Sequence, residues 1–414
     1  MNNNPYTTHT LDNGLKIVIE TMPGVRSAAA GFLARTGSRD ETPDLAGVSH
    51  FLEHMCFKGT QNRTWQQITI DFDNLGSNYN AFTSHDRTFY YGWVPSANIE
   101  KQIELLADMM RSALPEDEFT MEKNVILEEI AMSKDRIEHE AYDFLHEELF
   151  RGHPLAWPIL GYEETVQKLT RDQMYSYFEK RYAPDNLVLV VAGNVDPKKI
   201  IACAERVSGS WKPSGTSGQR RPHAIPQGNA VRVLDRFQQQ IMVLSYPAPS
   251  GVDSMHETAQ AVASILGGGN SRIFWHVVQT GISPRAGAFR VDYSDLGLLV
   301  LSGQTEPENI ERLTDALRKE AKDIMHKGVM EHEVQRAKNK ARTGLAVEGE
   351  TPYHRLTQIM DDVDYRGSAR TVEERLAAID AVSVKSVTEY FEQYPIDGQG
   401  HLVSVGPRAW PDLN

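Results

Sequence analysis

Within residues 9–20, Asp12-Asn13-Gly14 separates His9-Thr10-Leu11 from the largely apolar run Leu15-Lys16-Ile17-Val18-Ile19. That pattern predicts a hairpin, with strands over 9–11 and 15–19 and an Asn-Gly turn that tolerates positive φ. Residues 28–34 form an unbroken apolar run, which reads as a buried strand. Apolar residues at 45, 48, 51, 52, 55 and 57 then fit a largely buried helix stopping at Gly59. A second helix is expected over 64–75, closed by Gly76, followed by adjacent strands over 78–84 and 88–94 joined by a short polar turn. Helical periodicity dominates 97–141 and returns at 170–181, ahead of a strong strand over 187–192. Residues 208–227, rich in Gly, Ser, Pro and Arg, read as a linker.

The pattern after that linker repeats the pattern before it. Tyr177-Phe178-Glu179 is matched by Tyr390-Phe391-Glu392, and the strand ending at Gly193 by the one ending at Gly406, both at an offset of 213 residues. A constant offset between separate motifs marks a duplicated domain. With 414 residues the chain exceeds the size at which one core stops growing. The expected division is therefore an N-terminal domain over 1–210, a linker over 211–227 and a C-terminal duplicate over 228–414. The expected class is α+β, each domain a mixed, mostly antiparallel sheet packed with helices.

Composition narrows the function classes. A net charge of −13 argues against a nucleic-acid backbone as partner. Two cysteines, Cys56 and Cys203, make no disulfide framework and point to a reducing compartment. Met1-Asn2-Asn3-Asn4-Pro5-Tyr6 has neither a basic n-region nor an apolar h-region, and no apolar run reaches the ~18 residues of a membrane span. The expectation is a cytoplasmic protein without membrane or nucleic-acid partners, a periplasmic one if a leader has been removed.

The candidate chemistry lies at His50-Phe51-Leu52-Glu53-His54. On a helix, positions i and i+4 share a face, so both imidazoles can address one metal ion. Glu53, one residue before the second histidine, is placed to take a proton from water at that metal, as in the inverted H-x-x-E-H motif. Read alone, the same residues also describe two surface histidines beside an exposed carboxylate. A third ligand is sought in the helix around Glu122-Lys123-Asn124-Val125-Ile126-Leu127-Glu128-Glu129. There Glu122 and Glu129 share a face and Glu128 points elsewhere, although an acidic run is also what a solvated helix face looks like.

Several segments together resemble the insulinase/pitrilysin family of inverted-motif zinc peptidases, in the branch that includes mitochondrial processing peptidase subunits. They are Leu11-Asp12-Asn13-Gly14-Leu15, residues 47–60, Asn80-Ala81-Phe82-Thr83, residues 122–130, His153-Pro154 with Pro158-Ile159-Leu160-Gly161, and Tyr182-Ala183-Pro184-Asp185-Asn186 leading to Ala192-Gly193-Asn194-Val195. The resemblance implies that Glu129 is the third zinc ligand and that Glu122 is an accessory to the catalytic set. It implies that Asn80, Ala81 and Phe82 lie on an edge strand receiving an extended peptide, and that the two domains form half of a clamshell chamber. The offset of 213 maps His50, Glu53, His54 and Glu129 onto Ala263, Leu266, Gly267 and Arg342. One zinc per chain, in the first half, is the resulting expectation.

The chain departs from the family pattern in its second half. Single-chain and homodimeric members carry an Arg and a Tyr seven residues apart that bind the substrate carbonyl. Aligning Gly281 with the family glycine puts Val277 and Pro284 at those positions. Neither side chain donates a hydrogen bond. Gly267-Gly268-Gly269 just upstream lacks the Gly-Lys-Ser/Thr ending of a phosphate loop. The resemblance thus implies the zinc-bearing subunit of a heterodimeric endopeptidase acting on unfolded peptides, with a paralogous subunit supplying the Arg/Tyr pair. The competing reading is a non-catalytic core subunit of an assembly with the same fold.

Overall fold

The structure is a computed structural model that describes residues 5–216, 220, 223–398 and 400–410. The amino-terminal residues 1–4, positions 217–219 and 221–222 of the expected linker, residue 399 and residues 411–414 lie outside the described residues. The described part contains two compact units.

The first unit holds a six-stranded sheet built from β1 (Tyr6–Thr10), β2 (Lys16–Thr21), β3 (Ser27–Ala34), β4 (Asn78–Thr83), β5 (Thr88–Pro95) and β6 (Leu187–Gly193). Its strand order is β1-β2-β6-β3-β5-β4, with β2 and β6 parallel and every other pair antiparallel. The expected hairpin is the β1–β2 pair, with Tyr6 opposite Glu20. β4 lies at an open edge of the sheet.

The second unit repeats the arrangement with β7 (Gly228–Val233), β8 (Gln240–Ala248), β9 (Arg285–Asp292), β10 (Gly297–Thr305) and β11 (His401–Gly406), in the order β7-β11-β8-β10-β9. Again one pair, β7 and β11, is parallel. Each strand of the second sheet occupies the place of its counterpart in the first, with β1 alone unmatched, so the duplication expected from the motif offset is a duplication of topology.

The compact units nevertheless cut across the division at 1–210, 211–227 and 228–414. Residues 132–156 belong to the second unit and residues 346–372 to the first. The physical reason is an exchange of one helix between the halves. Helix Ile137–Leu149 covers β11 and β8, while helix Pro352–Arg366, at the corresponding place in the repeat, covers β3 and β6. Strands β3 and β6 are consequently buried on both faces, which explains why their sequences are nearly continuous apolar runs. One face packs in a core with Phe51, Leu52 and Met55; the other packs on Leu356, Ile359, Met360 and Val363. Polar anchors accompany the exchange. The fully buried Arg355 guanidinium donates to both Glu20 oxygens, at 2.8 and 3.0 Å, and Arg87 donates to Asp364 at 2.8 Å. Among the described residues no helix is long and apolar enough to cross a membrane.

Candidate metal centre

Helix Val48–Cys56 carries the inverted motif and is buried on almost every side: Val48, Ser49, His50, Phe51, Leu52, Met55 and Cys56 are all covered. Its start is held by a buried carboxyl. Glu41 accepts from the Gly47 and Ser49 N–H groups, each at 2.7 Å, satisfying donors that a helix N-terminus leaves open. Burial pushes the Glu41 carboxyl up to about 8, against the pull of those N–H groups. Gly47 adopts φ +97°, and a Cβ there would lie 2.6 Å from the Leu160 carbonyl oxygen. This close approach explains the Pro158-Ile159-Leu160-Gly161 segment: it braces the entry to the metal helix. The helix ends at Cys56, three residues before the expected stop, because Gly59 at φ +136° bridges to Thr64.

The acidic stretch lies on helix Glu116–Lys134, whose buried stripe is Phe119, Glu122, Ile126 and Ile130. Phe119 stacks on Phe51 at 4.8 Å between ring centroids, which fixes this helix against the metal helix. The contact brings Glu129 to the two histidines: its Oε2 lies 3.7 Å from His50 Nε2 and 3.8 Å from His54 Nε2. These three ligand atoms lie within 4.8 Å of one another.

Do these residues fit zinc? Nitrogen and oxygen ligands about 2.0–2.1 Å from a tetrahedral zinc stand about 3.4 Å apart, close to the 3.7 and 3.8 Å at which Glu129 Oε2 meets the two imidazoles. Glu129 Oε2 is buried and has no hydrogen-bond partner among the described residues, as expected of an atom reserved for a metal. Burial, with the neighbouring His54, lowers the His50 pKa to about 3, so this ring is neutral and able to bind. Burial also acts to lower the His54 pKa, but the Glu122 hydrogen bond and the charges of Glu129, Glu122 and Glu53 outweigh it and raise it overall. The same carboxylates favour a cation between the rings. The cluster is positioned to hold one zinc ion per chain.

Polar partners orient the groups around that position. His54 Nδ1 lies 2.9 Å from Glu122 Oε1, so with Glu122 ionised the Nδ1–H donates and Nε2 is left bare toward the metal position. The other Glu122 oxygen lies 2.5 Å from Lys58 Nζ. Glu53 Oε2 accepts the Thr83 hydroxyl at 2.6 Å. Burial raises the Glu53 pKa above the usual carboxylate value, with the Thr83 hydrogen bond opposing it.

Thr83 belongs to β4, the strand that also carries Asn80, Ala81 and Phe82. The Ser84 N–H donates to the Arg87 carbonyl at 2.8 Å, and antiparallel alternation from that pair turns the backbone N–H and C=O of Tyr79, Ala81 and Thr83 to the open edge. The side chains of Ala81 and Thr83 share one face of the strand. Those of Asn80 and Phe82 lie on the other, where Phe82 packs on Phe89 and Tyr91. Asn80 Oδ1 accepts from the Ala81 N–H at 2.9 Å.

Sequence reasoning missed Lys58, Thr83 and Glu41. A signal existed for the first two: Lys58 is four residues past His54, and Thr83 is two past Ala81 on an alternating strand. In the second unit, Val277 is fully buried within the π-helical segment Phe274–Val278, and Pro284 is exposed just before β9.

Comparison with known proteins agrees with this geometry. The sequence profile of the insulinase family (peptidase family M16) matches residues 16–163, and that of the peptidase M16 inactive domain matches residues 168–341. An uncharacterised zinc protease of Rickettsia felis is 35% identical over 86% of this chain and 86% of its own length. Another, from Bacillus subtilis, is 31% identical over 92% of this chain and 93% of its own. Among solved structures, a protease from Helicobacter pylori superposes with a TM-score of 0.90 at 21% identity, covering 97% of this chain and 99% of that one. A chain of complex III from Candida albicans superposes with a TM-score of 0.84 at 19% identity, covering 97% and 96%. At these identities the structural likenesses speak for the fold alone.

Proposed function

We propose that this chain, which belongs to the insulinase family of peptidases (peptidase family M16), is the zinc-bearing subunit of an endopeptidase that hydrolyses extended, unfolded peptides. The carrying observation is the convergence of His50 Nε2, His54 Nε2 and Glu129 Oε2 beside a carboxylate, Glu53, that is held by the open-edged strand β4.

His50, His54 and Glu129 would hold the zinc, which when bound would supply Lewis-acid polarisation of the scissile carbonyl and a lowered water pKa. Glu53 accepts the proton of the attacking water on its carboxylate and returns it to the leaving amine. Thr83 fixes that carboxylate, and Glu122 fixes the His54 ring. The outward main-chain groups of Tyr79, Ala81 and Thr83 suit an added peptide strand, which would displace Asn80 Oδ1 from the Ala81 N–H, with main-chain recognition that carries little sequence preference. Asn80 and Phe82 support that strand from its other face. With Val277 and Pro284 unable to donate, the substrate carbonyl is served by a paralogous subunit bearing the Arg/Tyr pair. In the sequence repeat the site-bearing half is 1–210, although its residues 132–156 pack in the second compact unit.

The missing donors at Val277 and Pro284 favour a second reading as a non-catalytic core subunit. Metal-dependent turnover separates the two. An unstructured peptide incubated with the chain and its paralogue should be cleaved at internal bonds, stop being cleaved when zinc is chelated, and be cleaved again once stoichiometric zinc is restored. Cleavage that survives chelation contradicts the peptidase reading, and absence of any cleavage supports the core-subunit one.

A further inference from the structure

We infer that Lys58 is a positioning residue of the metal centre, acting through Glu122 on His54; this inference rests on the zinc reading above. The helix Val48–Cys56 has ended before Lys58, whose N–H still donates to the Met55 carbonyl at 3.1 Å. Its side chain therefore leaves the last turn beside that of His54, and the two grip one carboxylate from opposite ends. Glu122 Oε1 takes the His54 ring N–H at 2.9 Å and Oε2 takes the Lys58 ammonium at 2.5 Å. The Glu122 side chain is only 7% exposed.

A carboxylate bonded at one oxygen still swings about its last torsion; bonded at both, it defines a plane. Lys58 thereby fixes the plane that Glu122 presents to His54, and with it the direction of the Nε2 lone pair. The charge count gives a second reason for a lysine. Around a dication with two neutral imidazoles stand three carboxylates, Glu53, Glu122 and Glu129, leaving one negative charge in excess. The Lys58 ammonium cancels it. A partly buried cluster that balances on metal binding costs less desolvation than one left charged.

Substitutions at Lys58 separate the geometric contribution from the charge. Zinc affinity is measured by competition with a chromogenic chelator for wild type, Lys58→Met, Lys58→Gln, Lys58→Arg, Glu122→Gln and the Lys58→Met/Glu122→Gln double variant. Melting of each metal-free protein serves as the folding control. Lys58→Met should weaken zinc roughly 10- to 100-fold, the range typical of lost partners of metal ligands, with apo melting unchanged. Lys58→Arg should recover most of that loss, and Lys58→Gln, which donates without charge, should fall between. In the Glu122→Gln background Lys58→Met should add little, because the lysine acts through that carboxylate. Unchanged zinc affinity in Lys58→Met, or an equal loss with and without Glu122, overturns the inference. If wild type itself takes up no zinc, the zinc reading fails.

Discussion

Glu53→Gln should reduce peptide hydrolysis about 10³-fold or more while leaving zinc bound at the wild-type level. Removing a general base from a hydrolytic site costs roughly 10²- to 10⁴-fold, and this carboxylate is given two proton transfers. The substitution is otherwise mild. Glutamine keeps the shape of the side chain and a carbonyl oxygen to accept the Thr83 hydroxyl, now 2.6 Å from Oε2, so β4 stays in register with the helix. None of the three converging atoms belongs to Glu53, so the metal should remain. Peptide cleavage and bound zinc are best measured on the same sample. Hydrolysis within tenfold of wild type would assign the proton transfer to another group.

The lone chain should be a slow peptidase, and a paralogue carrying the Arg/Tyr pair should accelerate it by roughly two to three orders of magnitude, the usual contribution of oxyanion donors. Val277 is fully buried among the core residues of the second unit, so Val277→Arg would bury an unpaired guanidinium and destabilise that unit instead of restoring a donor. Titrating the paralogue into a fixed concentration of this chain should give a rate that rises and saturates. A lone chain that already cleaves as fast as the saturated pair would sink the two-subunit account.

Much of this was legible from the sequence because the relevant signals are local. The i, i+4 spacing of His50 and His54 and the seven-residue spacing of Glu122 and Glu129 are helix-face patterns, and the structure lays both on helices. The Thr64 cap and the left-handed Gly76 bound the second helix where capping chemistry puts them. The 213-residue offset led to two sheets of one topology. What stayed hidden is non-local. An amphipathic pattern over 137–149 announces a helix with one apolar face, but it does not say which of two equivalent sheets that face covers. The links that would tell, Arg355 with Glu20 and Arg87 with Asp364, join residues 335 and 277 positions apart. Lys58 and Thr83 escaped for a related reason: a common polar residue becomes informative only once a neighbouring element brings a carboxylate to it.

Zinc binding should require Glu129 to complete the ligand set, and zinc stoichiometry by native mass spectrometry tests this directly. One zinc per wild-type chain, falling to a small fraction in Glu129→Gln with an unchanged apo fold, is the predicted result. A full complement of zinc in Glu129→Gln, or none in the wild-type chain after incubation with zinc, would contradict it.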